Sequence, residues 1–303
     1  MKLKKLIPNK KSLNECVIAT LHIDGETILA KNRDRKYDPT VKVVHELKDG
    51  VEIIYIQDTI TDWSEGMNEF GIGVINASLM VHFDEMEGDL AKDKDKKGVT
   101  PSYDGMKIRE ALSKNKLSET IKSIIYFKGK DKKDVGVKGM TMVASPKHSY
   151  IIELTSEHEP IIKQTDKNKV VVRTNHGIEH PDTGYTSGIK RQSSVSRKEI
   201  ATKELEQVKN PATILDVLAN QWTDENFMNP YRRDNKFDMQ TTGQVMMNLD
   251  QLKFSFRWNT NHSKFEGYEN KLPKDYKPKI EVEFLDPVPT KKEIKKDLKG
   301  QND

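Results

Sequence analysis

The chain has 303 residues, which fits one large domain or two small ones and allows a substantial buried core. The chain has 51 Lys and Arg against 47 Asp and Glu, a formal net charge of +4. This small excess gives no indication of nucleic-acid binding. The single cysteine excludes an internal disulfide and a cysteine-based zinc site. No apolar run approaches the ~20 residues of a membrane-spanning helix, so no membrane partner is expected.

The first fifteen residues are polar and basic and show no hydrophobic periodicity. They contain no apolar central region of the kind that a secretory signal needs, so the expected location is cytoplasmic. Two interpretations of residues 1–15 stay open. The segment is either a loosely docked or disordered tail, or a propeptide whose removal exposes the amine of Cys16.

The stretch that follows predicts a β-hairpin. Residues 17–23 and 26–32 are rich in apolar and β-branched side chains, and Asp24-Gly25 between them suits a two-residue turn. Such a turn fixes the register, so Ile23 faces Glu26 and each step back along one strand pairs with one step forward along the other.

Counting out from this turn places Cys16 opposite Arg33, with Asn32 and Asp34 on either side. Directly opposed side chains lie roughly 5 Å apart. A guanidinium beside a thiol favours the thiolate, which is the nucleophilic form. We therefore expect Cys16 to be an activated nucleophile.

The rest of the chain predicts many strands with interspersed amphipathic helices, which indicates an α+β fold. Strands are predicted over 51–59, 71–79, 139–144, 149–155, 160–164 and the β-branched run from 170, with a hairpin over 241–258 and an edge strand over 279–285. Helices are predicted over 104–112, 118–127 with Ser118 as N-cap, through Ala201 and Leu205, and over 212–222. The charged stretch 82–101 predicts a solvated loop beside the substrate pocket, in preference to a calcium site.

Two asparagines and an arginine stand at the ends of these elements. Asn76 follows two glycines in a strand, where glycine often marks a close backbone approach, and Asn175 ends the β-branched run. Arg197 closes the segment Ser193-Ser-Val-Ser-Arg197, and Arg191 lies six residues earlier. Judged alone, Asn76 is the end of a bulged core strand and Asn175 caps a strand-to-loop turn. Arg197 is then an exposed residue on an N-capped surface helix.

Taken together, the motifs resemble the N-terminal nucleophile (Ntn) cysteine hydrolases, in particular the choloylglycine hydrolase/penicillin V acylase group and the acyl-CoA:isopenicillin N acyltransferase-like group. Those enzymes begin with Cys, followed by a hairpin and an Arg/Asn-rich segment that ends in Asp, which Cys16 and Asp34 match in order and spacing. Val17 departs from the family's small residue or Thr. The resemblance covers roughly residues 16–260 and implies a four-layer αββα sandwich.

The resemblance also implies roles for the site residues. Cys16 would attack an amide carbonyl with its own α-amine as general base, and Asp34 would orient that amine. Asn76 and Asn175 would bind the oxyanion. Either Arg33 or Arg197 would hold the thiolate, with Arg191 as a second candidate for the role of Arg197.

The expected organisation is a propeptide over 1–15, a catalytic domain over 16–285 and a charged tail over 286–303. The expected activity is hydrolysis of a small-molecule acyl amide through a thioester, without cofactor or metal, after self-removal of the propeptide. A homo-oligomer is left open. Two alternatives remain: an acyltransferase of the same fold that uses CoA thioesters, and a non-catalytic structural or binding protein that retains the fold.

The histidines are weaker candidates. The segment His176-Gly-Ile-Glu-His180 lacks the spacing of His-Glu-x-x-His, so a metal site is not favoured. His22 lies about six strand residues from Cys16, too far for proton transfer at ~3.3 Å per residue. If the chain is active with residues 1–15 attached, His176 becomes the base of a conventional Cys–His site.

Overall fold

The computed structural model describes residues 14–79, 103–126, 136–155, 158–233 and 239–288. In these ranges the chain forms two β-sheets and four α-helices, so the predicted α+β class is confirmed. The charged stretch 82–101, most of the segment 1–15 and residues 289–303 of the tail lie outside the described residues. Within the described ranges, no helix is both long and apolar enough to cross a membrane.

The strands are β1 (Asn14–Ile23), β2 (Glu26–Arg35), β3 (Thr40–Lys48), β4 (Val51–Asp58), β5 (Ser64–Asn68), β6 (Gly73–Ala77), β7 (Gly139–Ala144), β8 (Ser149–Leu154), β9 (Ile161–Gln164), β10 (Val171–Arg173), β11 (Gln240–Asn248), β12 (Lys253–Trp258), β13 (Lys264–Asn270) and β14 (Glu281–Phe284). The α-helices are α1 (Tyr103–Leu112), α2 (Leu117–Ile125), α3 (Gly188–Leu205) and α4 (Ile214–Ala219).

The first sheet has the strand order β10-β1-β2-β11-β12-β14 and is built on two antiparallel hairpins that lie side by side. In the first hairpin, Asp24-Gly25 has positive φ at both residues, 51° and 84°, as a type I′ turn requires. The predicted register is confirmed, because Ile23 faces Glu26 and Cys16 faces Arg33. The hairpin extends beyond the prediction, since β1 and β2 remain paired back to Asn14.

The second sheet has the strand order β13-β3-β4-β5-β6-β7-β8-β9 and is antiparallel except where β13 joins β3. A Cβ atom placed on Gly73 of β6 would lie 2.8 Å from side-chain atoms of Leu29 and Leu249. The close approach predicted from the glycines of this strand is therefore confirmed. It lets β6 pack tightly against the first hairpin of the other sheet.

Buried apolar side chains form three clusters. The first contains residues of both sheets, among them Cys16, Ile18, Ile54 and Met142, so the two sheets pack against each other there. Because side chains alternate along a strand, Val17 points to the opposite side of β1 and belongs to a different cluster.

That second cluster packs β1, β2 and β11 against the helices, because it contains Val17 together with Leu205 of α3 and Leu215 of α4. A third cluster packs the other face of the second sheet against α1 and α2, because it contains Val143 of β7 together with Ile108 of α1. Each sheet therefore contacts the other sheet on one face and a helix pair on the opposite face.

Some predicted boundaries are wrong. Lys116, not Ser118, occupies the N-cap position of α2, and no side chain caps that helix. Helix α3 begins at Gly188, so the segment Ser193–Arg197 lies inside the helix instead of at its start. Arg197 is fully buried, which rules out an exposed surface arginine.

Candidate active site around Cys16

Cys16 is the third residue of β1 and is 1% exposed. Its side chain points to the interior shared by the two sheets, and its backbone faces the end of the neighbouring strand β10. The strand pairing brings Arg33 directly opposite and places Asp34 opposite Glu15. Two different sets of charged groups therefore flank the cysteine, one on each side of the sheet.

On the thiol side, the guanidinium that reaches Sγ belongs to Arg35, whose Nη1 donates to it at 3.7 Å. Arg33 turns away and pairs through Nε with Glu65 at 3.0 Å, and Lys31 binds the other oxygen of that carboxylate at 3.2 Å. Burial raises the pKa of Glu65, but Arg33 and Lys31 outweigh it and hold that pKa below its ordinary value. Arg33 is thus paired with Cys16 in the strand register, but its guanidinium forms an ion pair with Glu65 and not with the thiol.

On the backbone side, the nitrogen of Cys16 donates to Oδ1 of Asn175 at 3.1 Å. Arg197 donates to the same Oδ1 at 3.2 Å and to the carbonyl oxygen of Cys16 at 3.3 Å. The Nδ2 group of Asn175 donates to the carbonyl of Ser78 at 2.7 Å. Asn175 and Arg197 together therefore hold the backbone of the cysteine.

Asp34 completes the backbone side. Its carboxylate accepts from Thr241 Oγ1 at 2.7 Å and from Arg197 Nη1 at 3.4 Å, and Nε of Arg232 lies 3.8 Å away. Burial raises the pKa of Asp34, and the positive charges of Arg232 and Arg197 oppose that rise only in part. The carboxylate fixes Arg197 in the orientation that reaches the Cys16 carbonyl.

The structure adds a carboxylate that the sequence did not single out. Glu15 is 2% exposed and accepts from Nη2 of Arg232 at 2.8 Å, from Nη2 of Arg197 at 3.1 Å, and from the hydroxyl of Tyr185. Burial raises its pKa, but the two guanidiniums outweigh burial and hold the pKa below its ordinary value. The residue before the cysteine is therefore an ionised, enclosed side chain.

Asn76 is the penultimate residue of β6 and lies two residues before the Ser78 carbonyl that binds Asn175. Its Nδ2 donates to Oγ1 of Thr141 at 2.8 Å and to the carbonyl of Lys138 at 3.4 Å. Its Oδ1 is buried without a hydrogen-bond partner among the described residues. The hydrogen bond between Asn175 and Ser78 thus links the segments that follow β6 and β10, two residues along the chain from Asn76.

The two candidate arginines separate clearly. Arg197 contacts Cys16, Asp34 and Asn175, whereas Arg191 is only partly buried and donates to the carbonyl of Tyr185 at 3.1 Å. Of these two candidates, Arg197 is the one that the fold brings to the cysteine backbone.

In the part of the chain that the structure describes, neither His176 nor His22 hydrogen-bonds to Cys16. The ring of His176 contacts Ser194 at 2.8 Å and Thr174 at 3.2 Å, and His22 pairs with Thr27 near the hairpin turn. Burial, followed by the positive charge of Arg191, lowers the pKa of His176 to about 4. In the part of the chain that the structure covers, no three His, Cys, Asp or Glu side chains converge in a way that could hold a metal.

No protein-family model matches the chain, and no curated protein matches it. Among solved structures, the penicillin V acylase from Agrobacterium tumefaciens matches with a TM-score of 0.47 and 13% sequence identity. The match covers 80% of this chain and 85% of that chain. Membership of the Ntn cysteine hydrolases therefore stays a prediction.

Proposed function

We propose that this protein is an amide hydrolase in which Cys16 supplies the nucleophile with its thiol and the general base with its α-amine. One observation carries the proposal. The Cys16 nitrogen is bound by Asn175 at 3.1 Å, while a guanidinium of Arg35 reaches its sulfur at 3.7 Å. A single residue thus has its nitrogen oriented and its thiol placed beside a cation, which favours the nucleophilic thiolate.

We interpret the packing of the two sheets and the two helix pairs as the four-layer αββα sandwich that the resemblance to the Ntn cysteine hydrolases implies. The apolar clusters support the interpretation, because each sheet contacts the other sheet on one face and helices on the opposite face. The cysteine lies at the start of β1, so a chain that begins there would present its terminus at the end of the sandwich.

The mechanism requires a cut between Glu15 and Cys16, because an amide nitrogen is not a base and an α-amine is. In the proposed maturation, Sγ attacks the Glu15 carbonyl, the C–N bond breaks, and the Cys16 nitrogen takes the thiol proton. Water then hydrolyses the resulting thioester. The new α-amine has a reference pKa of ~7.7–8.0, which suits base catalysis near neutral pH.

Turnover repeats this chemistry on a substrate. The amine takes the thiol proton, Sγ attacks the amide carbonyl, and the amine then protonates the leaving nitrogen as the C–N bond breaks. Water, activated by the same amine, hydrolyses the thioester and restores the thiol. We assign Arg197 and Asp34 to fixing the cysteine backbone. Asn175 holds the amine instead of the oxyanion, because its Nδ2 already donates to the Ser78 carbonyl. Asn76 keeps the oxyanion role, for which its Nδ2 must exchange the Lys138 carbonyl at 3.4 Å for the oxyanion.

A second candidate is a non-catalytic protein that retains the fold with the Glu15–Cys16 bond intact. The observation that favours it is the regular pairing of Asn14 and Glu15 with β2, together with the burial of Glu15. In this reading the two residues before the cysteine are a permanent part of the sheet.

Intact mass and N-terminal sequencing of the purified protein, followed by an acyl-amide screen, separate the candidates. We expect the wild type to begin Cys-Val-Ile-Ala-Thr and to hold 288 residues, because the cut removes 15 of the 303. Cys16→Ala should stay full length. A variant that starts with Met directly before Cys16 should be active once its Met is trimmed. A wild type that hydrolyses amides with residues 1–15 attached would exclude the amine as base and leave a Cys–His site with His176.

A further inference from the structure

The residue just before the proposed cut occupies a built pocket. Arg197, Arg232 and Tyr185 enclose the Glu15 carboxylate, and we call these three residues the carboxylate pocket. All three are at least 95% buried. Burying charged groups is costly unless they are paired and hydrogen-bonded, so a pocket of this kind is specific for a carboxylate in this position.

Glu15 supplies the acyl group in the proposed maturation step, which relates its pocket to substrate binding. During self-removal, the acyl group transferred to Sγ is the one that ends in the Glu15 carbonyl. During turnover, the acyl group of the substrate takes the same place on the same sulfur. Glu15 carries its side-chain carboxylate at the far end of a five-carbon chain that starts at that carbonyl carbon. The precursor thus displays one acyl group that the site accommodates.

Departure of residues 1–15 changes the charge of the pocket. In the structure two buried guanidiniums face two carboxylates, because Asp34 also lies 3.4 Å from Arg197 and 3.8 Å from Arg232. Without Glu15, only Asp34 remains against Arg197 and Arg232. One buried positive charge is then left without a carboxylate to neutralise it, which favours the binding of another anion.

We propose that the carboxylate pocket is the acyl-group subsite of the mature enzyme, and that its substrates are amides of five-carbon acyl groups with a terminal carboxylate, namely glutaryl or α-glutamyl amides. This inference rests on the proposed function, since it requires the cut after Glu15. It names the substrate class that the fold alone leaves undefined.

The primary test measures kcat/KM of the mature wild type, confirmed by intact mass, on three para-nitroanilides. Glutaryl anilide carries the carboxylate, 4-carbamoylbutanoyl anilide is its neutral isostere, and pentanoyl anilide lacks the polar group. We expect the glutaryl anilide to be preferred over the isostere by about 100-fold, because the isostere leaves a buried guanidinium unpaired. Glutarate should also inhibit competitively, and pentanoate should not.

Variants of the pocket locate the preference. Tyr185→Phe removes one hydroxyl and should lower the preference for the glutaryl anilide, measured as the ratio of its kcat/KM to that of the neutral isostere, by about tenfold. Arg232→Gln should abolish the preference. Tyr231→Phe is the matched control, because Tyr231 is also buried but its hydroxyl lies by Asn259, and it should leave the preference unchanged.

Glu15→Gln gives a second readout that does not depend on substrate choice. The variant keeps the shape of the side chain and removes its charge, so it should process at least about tenfold more slowly than the wild type. The mature chain of this variant begins at Cys16 and is identical to the mature wild type. Its kinetics after processing must therefore match, which separates an effect on the pocket from an effect on folding.

The outcomes distinguish this inference from the proposed function. A mature protein that hydrolyses the neutral anilides as well as the glutaryl anilide, or better, overturns the pocket assignment and leaves the hydrolase proposal standing. The pocket assignment is also overturned if the released peptide stays bound to the mature protein after gel filtration, because the pocket is then not free for substrate. A chain that remains full length and hydrolyses none of the three anilides overturns both.

Discussion

The side-chain oxygen of Asn175 accepts a hydrogen bond from the backbone nitrogen of Cys16 at 3.1 Å, across 159 residues of sequence. The orientation of this amide is set by its neighbours, because Arg197 is a second donor to the oxygen and the Ser78 carbonyl accepts from the nitrogen. Flipping the amide would oppose donor to donor and acceptor to acceptor. The contact therefore assigns Asn175 to the nitrogen of the cysteine.

Replacing Asn175 should accordingly change the behaviour of the base. Asn175→Ala should lower kcat by about 10²-fold with a smaller change in KM, because the amine loses the acceptor that orients it. Asn175→Asp keeps an acceptor and adds a negative charge, so the acid limb of the kcat/KM profile should move to higher pH. A change confined to KM would show that Asn175 contacts substrate only.

Labelling with iodoacetamide should report the state of the N-terminus. Cys16 is the only thiol in the chain and is 1% exposed with Glu15 attached. Native full-length protein should therefore react on the order of 100-fold more slowly than native mature protein, since its thiol is reached only through local opening. Labelling should abolish amidase activity. Full alkylation with activity retained would exclude Cys16 as the nucleophile.

The two hairpin arginines should differ in their effect on thiol reactivity. Arg35 donates to Sγ, whereas Arg33 pairs with Glu65. In the mature protein at neutral pH, Arg35→Gln should slow alkylation of Cys16 more than Arg33→Gln does, because only the first substitution removes the cation that contacts the sulfur. Circular dichroism serves as the folding control for both variants. The opposite order would return the role to Arg33.

The hairpin could be predicted down to single residue pairs, and the reason is local. A two-residue turn at Asp24-Gly25 leaves one register, so the Cys16–Arg33 pairing follows by counting. Which arginine reaches the thiol could not be predicted in the same way. Arg33 and Arg35 lie two positions apart on one strand face, and the choice is made by Glu65, which another strand brings to Arg33.

Other features depend on contacts that no local pattern encodes. Strand β13 was missed because its side chains alternate between exposed and half-buried positions, which leaves no apolar stripe in the sequence. Arg232 lies in an irregular segment and joins Glu15 only through the fold. The alternation of side chains along β1 could have shown that Glu15 faces away from Cys16, but not that two arginines would meet it.

Arg197 should matter far more for activity than Arg191. Arg197 is fully buried and contacts the Cys16 carbonyl, Asp34 and Asn175 with its planar fork of donors. Arg197→Ala should lower kcat/KM by about 100-fold or more, and Arg197→Lys should recover little, because one ammonium cannot replace several fixed donors. Arg191→Ala should have a much smaller effect. A larger loss in Arg191→Ala, measured side by side, would move the role to that residue.

His176 should be dispensable for catalysis. Its ring is held by Ser194 and Thr174, and burial together with Arg191 lowers its pKa to about 4, so it is neutral at pH 7. We expect His176→Gln to retain activity within tenfold, whereas removal of a general base costs about 10²–10⁴-fold. A loss in the larger range, with the pH profile of kcat/KM flattened, would favour the Cys–His alternative.

The same pKa should make His176 a source of acid sensitivity. The folded-state pKa of about 4 lies below the ordinary histidine pKa of 6.5, so protonation favours the unfolded chain. The contribution of His176 to stability is therefore complete above about pH 6.5 and is lost as the pH falls toward 4. The free energy of unfolding, from urea titrations at pH 7, 5.5 and 4, should fall more steeply for the wild type than for His176→Gln. Other histidines are present in both proteins, so their effects cancel in the comparison, and parallel curves would contradict a buried neutral His176.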